Sequence, residues 1–252
     1  MRLYCQTMDT KTHMIPKIIH YCWFGRGPMP ELAIRCIESW HKYMPDYEYK
    51  LWNEDNFDVN STPYTKEAYE ARKFAFVSDY VRLVALYTDG GIYLDTDVEV
   101  FKPLDPLLGH KAFAGFEGSK RLPVGTCIMA SEKRGIWIKE QLDKYSGRHF
   151  IQEDGSFDMT TNVQLMMSIM NANGFKQNGL EQDYKDAHIF PMKYFSPRRT
   201  TGEYIKTEDT YCDHHGLGSW SVNHKSFKKS FLNIFGPKFR TIIIKTKRLI
   251  IG

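Results

Sequence analysis

The segment 65–100 constrains the fold of this chain more than any other part of the sequence. Apolar residues at helical spacing run from 65 to 88, and Asp89-Gly90-Gly91 ends the predicted helix there, because glycine adopts the left-handed conformation after a helix end at little cost. The run GGIYLDTDVEV follows at once and predicts a strand over 91–100. A helix that turns directly into a buried strand is typical of layered α/β domains.

The remaining sequence repeats this alternation of helical and strand patterns. Strands are predicted at 17–24, 47–52, 111–118 and 124–131, and helices at 31–43, 136–146 and 162–174. Long loops are predicted at 147–160 and 196–216. The sequence therefore predicts an α/β fold. A main domain over 15–222 is expected, with an extension at 1–14 and a C-terminal segment at 223–252.

Two aspartates lie two positions apart in the predicted strand 91–100. Alternate side chains of a strand share a face, so Asp95 and Asp97 are expected on one side, about 7 Å apart at the backbone. Such carboxylates repel each other unless a positive charge lies between them, and a hard cation such as Mn²⁺ or Mg²⁺ takes oxygen ligands of this kind. The alternative is a strand end in solvent, where both carboxylates are hydrated.

The helix before this strand carries an acid and a base three positions apart. Asp79 and Arg82 therefore share a helical face and lie near the start of the aspartate strand. The planar guanidinium of arginine suits phosphates and sugar hydroxyls. A plain surface ion pair is the alternative interpretation.

The net charge of +4 is unevenly distributed along the chain. Residues 221–252 contain eight bases and no acid, which leaves 26 bases against 30 acids elsewhere. A basic segment with interspersed apolar residues is able to lie on an anionic membrane surface; a terminal helix packed on the domain is the other interpretation. Nucleic acid is not expected as a partner, because an acidic body repels phosphate.

The cysteines and the N-terminal residues indicate the cellular compartment in which the protein is expected. The five cysteines are widely spread without a CxxC pair, which favours reduced thiols and a cytoplasmic environment over disulfides or structural zinc. The first residues show no apolar stretch of signal-peptide length, and no segment approaches the roughly 20 apolar residues of a spanning helix. We expect a cytoplasmic protein that is peripheral on the inner face of the membrane if the basic segment binds lipid.

The run SDYVRLVALYTDGGIYLDTDVEVFKPL at 78–104 resembles the DxD-containing, sugar-binding region of glycosyltransferase family 32. The segments IPKIIHYCWFG at 15–25 and HHGLGSW at 214–220 are similar to the family's first strand and C-terminal element, although Gly216 stands where an aromatic residue is usual. The resemblance implies a GT-A, Rossmann-like nucleotide-diphospho-sugar transferase fold, with a mixed central sheet flanked by helices.

The resemblance also implies roles for individual residues. Asp97 would bind the metal directly, and Asp95 would contact the ribose or bind the metal through water. Asp79 and Arg82 would hold the donor sugar and its diphosphate. Trp23 would stack on the nucleobase, whereas from its position alone it is an ordinary core aromatic.

The C-terminal element would complete the metal and diphosphate sites. His215 is implied as the third protein ligand, which favours Mn²⁺ over Mg²⁺ because imidazole suits manganese better. His214 would support the site or be structural. Ser219 and Trp220 would close over the diphosphate.

The function implied by the resemblance is retaining transfer of a hexose from a nucleotide-sugar. UDP-hexose is the preferred donor and GDP-mannose the second, with a glycan or lipid-linked acceptor in capsule, lipopolysaccharide or another surface polysaccharide. Two other functions are compatible with clustered acids and many aromatic residues: a metal-dependent phosphodiesterase, and a non-catalytic carbohydrate-binding protein on the same fold.

Overall fold

The structure is a computed structural model that describes residues 15–118, 122–197 and 204–216. Its contacts divide the chain into two units, 1–214 and 215–252. The helices and strands described below belong to the first unit, and only His215 and Gly216 of the second are described. The segments 1–14 and 223–252 lie outside the described residues, so the domain boundaries and the membrane role of the basic segment stay predictions.

The described ranges contain five α-helices and nine β-strands that largely follow the predicted pattern. The helices are α1 (Glu31–Tyr43), α2 (Pro63–Glu70), α3 (Phe74–Asp89), α4 (Ile136–Leu142) and α5 (Asn162–Ala172). The strands are β1 (Ile18–Cys22), β2 (Glu48–Trp52), β3 (Gly91–Leu94), β4 (Val98–Val100), β5 (Ala112–Phe116), β6 (Val124–Ser131), β7 (Gln182–Tyr184), β8 (Ala187–Phe190) and β9 (Cys212–His214). The predicted elements β1, α1, β2, β5, β6, α4 and α5 are confirmed.

Seven of the strands form one mixed sheet in the order β2-β1-β3-β6-β5-β8-β7. Strands β2, β1, β3, β5 and β8 run in one direction, whereas β6 and β7 run against their neighbours. The other two strands, β4 and β9, pair with each other as an antiparallel ribbon. The predicted mixed α/β sheet is confirmed.

Helices cover the sheet on both sides. Helix α3 packs on β1, β3 and β6, with α4 and α5 beside it. Helix α1 packs on β4 of the ribbon, and the indole N–H of its buried Trp40 donates to the Val98 carbonyl at 2.7 Å. Trp40 and Val98 share one hydrophobic core with Ile92 and Leu94 of β3, so the ribbon and α1 form the layer opposite α3.

The prediction of one helix over 65–88 is wrong, because the chain breaks between α2 and α3. Arg72 has a φ of 56°, and the Lys73 and Arg72 amides bond to the Ala68 and Tyr69 carbonyls. This is the hydrogen-bond pattern of a Schellman helix end, with arginine at the left-handed position where glycine is usual. The sequence EARKF contains no glycine or proline, so its pattern shows no interruption.

The prediction of one strand over 91–100 is also wrong, since both aspartates lie in a turn between two sheets. The Asp95 amide makes a hydrogen bond to Cys127 in β6, and the Val98 amide then bonds back to the Asp95 carbonyl at 3.0 Å. Aspartate is favoured at the first position of such a turn. Strand β4 therefore leaves the main sheet, and the alternation that placed both aspartates on one strand face does not apply.

The third difference concerns the predicted loop 196–216 and the segment before it. Strand β9 lies at the end of that loop, and β7 and β8 precede it without having been predicted. Each is only three or four residues long, too short for a clear alternation of apolar and polar residues. The predicted loop at 147–160 contains only one isolated bridge, between Ile151 and Phe157.

Replacement of Gly91 with alanine is expected to destabilise the fold by at least about 2 kcal/mol. Gly91 has a φ of 110°, and a Cβ there would lie 2.6 Å from the Ile18 carbonyl oxygen in β1. Gly109→Ala is the matched control, because its Cβ would meet no atom within 4 Å. Urea unfolding measures both variants, and equal losses would contradict the role given to Gly91.

Two further observations concern the membrane and the thiols. No helix in the described parts of the chain has the length and apolar character needed to cross a bilayer. The four described cysteines are buried and free of disulfides: Cys22, Cys36, Cys127 and Cys212.

Candidate functional site

The candidate site lies at one edge of the sheet, where parallel strands end. Trp23 follows β1, Asp95 follows β3 and Glu117 follows β5. These three strands share a direction, so their carboxyl ends meet at the same edge. Ligands of open α/β sheets bind at this edge.

The Asp95 carboxylate is held by two neighbours. Its Oδ1 atom accepts the Tyr93 hydroxyl at 2.9 Å and lies 3.2 Å from Nη2 of Arg82. Burial raises the pKa of Asp95, and the Arg82 charge opposes that shift. The side chain is still 23% exposed, so Asp95 is fixed in orientation at the surface of the site.

The predicted pair of Asp79 and Arg82 is formed, but it is buried. Their side chains are 0% and 2% exposed, with Nη2 of Arg82 lying 3.1 Å from Oδ1 of Asp79. The Asn162 amide, at the start of α5, donates to the other Asp79 oxygen at 2.9 Å. Burial raises the pKa of Asp79 to about 7, even though the Arg82 charge opposes this. A surface ion pair is therefore excluded, and contact of either side chain with a donor stays a prediction.

Arg82 links the helix to the aspartate turn. Its Nη1 group donates to the Thr126 carbonyl in β6 at 2.8 Å, and its guanidinium lies 4.5 Å from the centre of the Tyr93 ring. The Nη2 group reaches both Asp79 and Asp95. One buried cation thus compensates two carboxylates and fixes the orientation of Asp95.

His214 lies beside Asp97. Its Nε2 atom is 3.3 Å from Oδ1 of Asp97, because β9 pairs with β4 and places His214 opposite Val98. The carboxylate oxygens of Asp95 and Asp97 and a ring nitrogen of His214 all lie within 4.8 Å of one another. The structure brings these three residues together, whereas the ligand role predicted for His215 stays a prediction.

Glu117 contacts the other nitrogen of the His214 ring. Oε1 of Glu117 is hydrogen-bonded to Nδ1 of His214. Gly125 leaves room for this carboxylate, since a Cβ there would lie 2.9 Å from the Glu117 Cβ. Burial disfavours a charged imidazole, but Cys127, Glu117 and Asp97 outweigh it and raise the pKa of His214 well above its usual value.

The donor set fits a divalent cation of the kind predicted. Two carboxylates and one imidazole, close enough to share one ion, suit Mn²⁺ and tolerate Mg²⁺. A histidine that binds metal usually donates its other ring N–H to a carboxylate, and Glu117 occupies that place. Sequence reasoning missed Glu117, because nothing in KAFAGFEG marks it as a partner of a residue about 100 positions away.

Two other predictions concern contacts with the donor: stacking of Trp23 on the base, and closure of Ser219 and Trp220 over the diphosphate. Trp23 is half-buried, with its amide bonded to the Trp52 carbonyl and its indole N–H donating to the Gly27 carbonyl. This places Trp23 at the ends of β1 and β2, and stacking on a base stays a prediction. Ser219 and Trp220 lie outside the described residues.

Comparison with known proteins defines the class to which this fold and site belong. A family model described as the glycosyltransferase sugar-binding region containing the DXD motif matches residues 30–114. The matched residues include Asp79 and Arg82 of α3 as well as Asp95 and Asp97 of the turn. An uncharacterized glycosyltransferase of Acanthamoeba polyphaga mimivirus is 34% identical over 230 residues, covering 87% of this chain and 89% of that protein. These matches define the chain, by class, as a glycosyltransferase.

The chain belongs to the DXD-containing glycosyltransferases of family 32. Inositol phosphoceramide mannosyltransferase 3 of Schizosaccharomyces pombe is 38% identical over 103 residues, which cover 39% of this chain and 29% of that protein. Mannosyl phosphorylinositol ceramide synthase SUR1 of Saccharomyces cerevisiae is 30% identical over 145 residues, covering 54% and 37%. The chain thus matches about a third of the length of these two yeast relatives.

Solved glycosyltransferase structures are similar at a lower level. PaToxG glycosyltransferase aligns with a TM-score of 0.47 and 18% identity, covering 64% of this chain and 71% of that one. A glycosyltransferase involved in glycosylation of the major capsid of PBCV-1 has a TM-score of 0.44 and 13% identity, covering 79% and 94%. Because these TM-scores and identities are low, the family assignment rests on the sequence relatives alone.

Proposed function

We propose that the protein is a metal-dependent, retaining hexosyltransferase that uses a nucleotide-sugar and an acceptor hydroxyl. The observation that carries the proposal is the convergence of Asp95, Asp97 and His214 within 4.8 Å at the carboxyl edge of the sheet. A divalent cation held there would supply the positive charge that stabilises the departing nucleoside diphosphate. Retention of configuration is proposed from family membership, with the acceptor attacking on the side of the leaving group.

The protein's own groups prepare this site before a ligand arrives. Arg82 and Tyr93 hold the Oδ1 atom of Asp95 in place, so that little conformational entropy is lost when this carboxylate binds a cation. Glu117 accepts a hydrogen bond from Nδ1 of His214 and so orients Nε2 toward Asp97, where a cation that displaces the Nε2 proton could bind that nitrogen. Preorganised groups of this kind stabilise developing charge because they need not reorient during the reaction.

The donor is proposed to carry mannose, with GDP-mannose as the compound to test first. Three relatives from Schizosaccharomyces pombe are named mannosyltransferases of inositol phosphoceramide, and this favours mannose over the UDP-hexose predicted from the sequence. The same names favour an acceptor hydroxyl on a lipid-linked saccharide or lipid headgroup. UDP-hexoses form the second arm of the test.

Binding of the donor is expected to raise the melting temperature only when a divalent cation is present. At a ligand concentration of 100 times Kd the gain is about 2.7 kcal/mol, or a shift of roughly 5 °C for a chain of this size. Thermal melts with GDP-mannose and UDP-hexoses, each with Mn²⁺ or with chelator, measure it.

Free mannose with Mn²⁺ is the matched control and is expected to produce no shift. Chromatography of the nucleotide then shows whether the shifting donor is slowly hydrolysed without acceptor. The proposal fails if no nucleotide-sugar changes the melting temperature, or if the change is the same in chelator.

A further inference from the structure

A second group of metal-binding side chains lies next to the aspartate site. Glu117, Cys127 and His214 offer a carboxylate oxygen, a thiol sulfur and an imidazole nitrogen within 4.8 Å of one another. They come from three separate places: the end of β5, the middle of β6 and the end of β9. Cys127 is buried, and Glu117 and His214 are partly exposed, so one side of the group is open to an incoming ion.

The His214 ring stands between the two groups, with one nitrogen toward each. Nδ1 is bonded to Glu117, whereas Nε2 lies 3.3 Å from Asp97. His214 thus belongs to two sets of possible metal ligands. One set includes the carboxylates of Asp95 and Asp97, and the other includes the Glu117 carboxylate and the Cys127 thiol.

The two sets differ in the metal that they prefer. Carboxylate oxygens with one imidazole suit Mn²⁺ or Mg²⁺, whereas a cysteine thiolate with a histidine and a carboxylate suits Zn²⁺. Tetrahedral ligands of Zn²⁺ lie about 3.5 Å apart, so side-chain movements of about 1 Å would close the set around an ion. Three protein ligands would leave the fourth position for water.

We propose that Glu117, Cys127 and His214 form a zinc-binding site, and that zinc there and a cation at Asp95 and Asp97 exclude each other. Binding of Zn²⁺ displaces the thiol proton of Cys127 to the buffer, forming a bond from zinc to sulfur. It also takes the Nδ1 lone pair of His214, which displaces the Nδ1 proton to the buffer and leaves the one remaining ring proton on Nε2. A neutral imidazole has one ring nitrogen with a free lone pair, and His214 in that tautomer cannot bind a second metal through Nε2.

The zinc site and the inhibition of sugar transfer by zinc depend on different assumptions. The zinc site needs only the three side chains. Inhibition of transfer by Zn²⁺, with relief by excess Mn²⁺, rests in addition on the proposed function. Metal binding is therefore measured on the full chain without a nucleotide-sugar.

Cobalt is the probe, because Co²⁺ takes zinc sites and shows a near-ultraviolet charge-transfer band when it is bonded to a thiolate. We expect the full chain to develop this band on Co²⁺ titration and to lose it when Zn²⁺ is added. Cys127→Ser is expected to abolish the band and to weaken Zn²⁺ binding, measured by calorimetry, at least about 100-fold. Cys36→Ser, which alters another buried cysteine outside the group, is the matched control and should retain both.

Two results would overturn the site, and one would overturn the exclusion. The site is refuted if the unaltered protein shows no thiolate band, or if the band persists in Cys127→Ser. The exclusion is refuted if saturating Mn²⁺ leaves the Zn²⁺ affinity unchanged. Asp97→Ala, which spares all three proposed zinc ligands, is expected to keep the Zn²⁺ affinity within about threefold and to lose the competition by Mn²⁺.

The Co²⁺ titration and the sugar-transfer assay together distinguish failure of the proposed transferase function from failure of the proposed zinc site. A protein that binds Co²⁺ through Cys127 but transfers no sugar from any donor retains the zinc site and loses the transferase assignment. A protein that transfers sugar with Mn²⁺ but shows no thiolate band retains the transferase assignment and loses the zinc site.

Discussion

Replacement of Asp97 with asparagine is expected to lower kcat at least about 1,000-fold, while the free energy of unfolding changes by less than about 1 kcal/mol. A thousandfold loss corresponds to about 4 kcal/mol of transition-state stabilisation, which is the size of contribution expected of a bound cation. The fold should survive, because asparagine keeps the size of the side chain in the turn and removes only its charge beside His214. Steady-state rates with saturating donor and Mn²⁺, together with urea unfolding, give the two numbers.

Asp105→Asn is the matched control for Asp97→Asn. Asp105 is also an aspartate with polar partners, since it accepts the Tyr47 hydroxyl and pairs with Lys17. Its removal should leave kcat within about threefold. A fully active Asp97→Asn enzyme would refute the metal assignment, whereas an unfolded one would show that Asp97 has a structural role instead.

Replacement of Arg82 with methionine is expected to destabilise the protein by about 3–5 kcal/mol, because removal of one partner of a buried pair leaves the other charges uncompensated. Here two carboxylates, on Asp79 and Asp95, lose the same cation. Urea unfolding at pH 7 measures the loss. Arg35→Met, which changes an exposed arginine of α1, should stay within about 0.5 kcal/mol.

The loss caused by Arg82→Met should also depend on pH in a defined direction. Burial already raises the pKa of Asp79 to about 7, and removal of the arginine charge raises it further. An acid whose folded pKa lies above its unfolded value contributes stability at low pH that is lost as pH rises through the folded pKa. The variant should therefore be closer to wild type at pH 6 than at pH 8, and equal losses at both would exclude Asp79 as the cause.

The regular elements could be predicted because local patterns determine them. Helix α1 begins and ends where the pattern between Pro30 and Pro45 predicts, and β6 has its predicted bounds. The helix break at Arg72 was not predictable, because it depends on an arginine in a conformation that favours glycine. The short strands β7, β8 and β9 depend on pairing partners that are distant in sequence.

The sequence predicted that four of the site's side chains lie near one another, but it did not predict that Glu117 and His214 lie beside them. Asp79, Arg82, Asp95 and Asp97 lie close together in sequence, so the helix and strand patterns alone bring them together. Glu117 and His214 reach the site only through the sheet order and the β4–β9 ribbon. Local pattern carries no information about that pairing, which explains why His214 was assigned only a supporting or structural role.

The β4–β9 ribbon also determines when the site comes into existence during synthesis. Val98 directly follows the aspartate turn, whereas its partner His214 is made after every other strand and helix described above. A nascent chain that has not yet released β9 from the ribosome has all seven strands of the main sheet, but it has only two of the three proposed cation ligands. At the proposed cation site, binding would thus wait until β9 has been synthesised, and a polypeptide that ends before β9 would lack the His214 ligand.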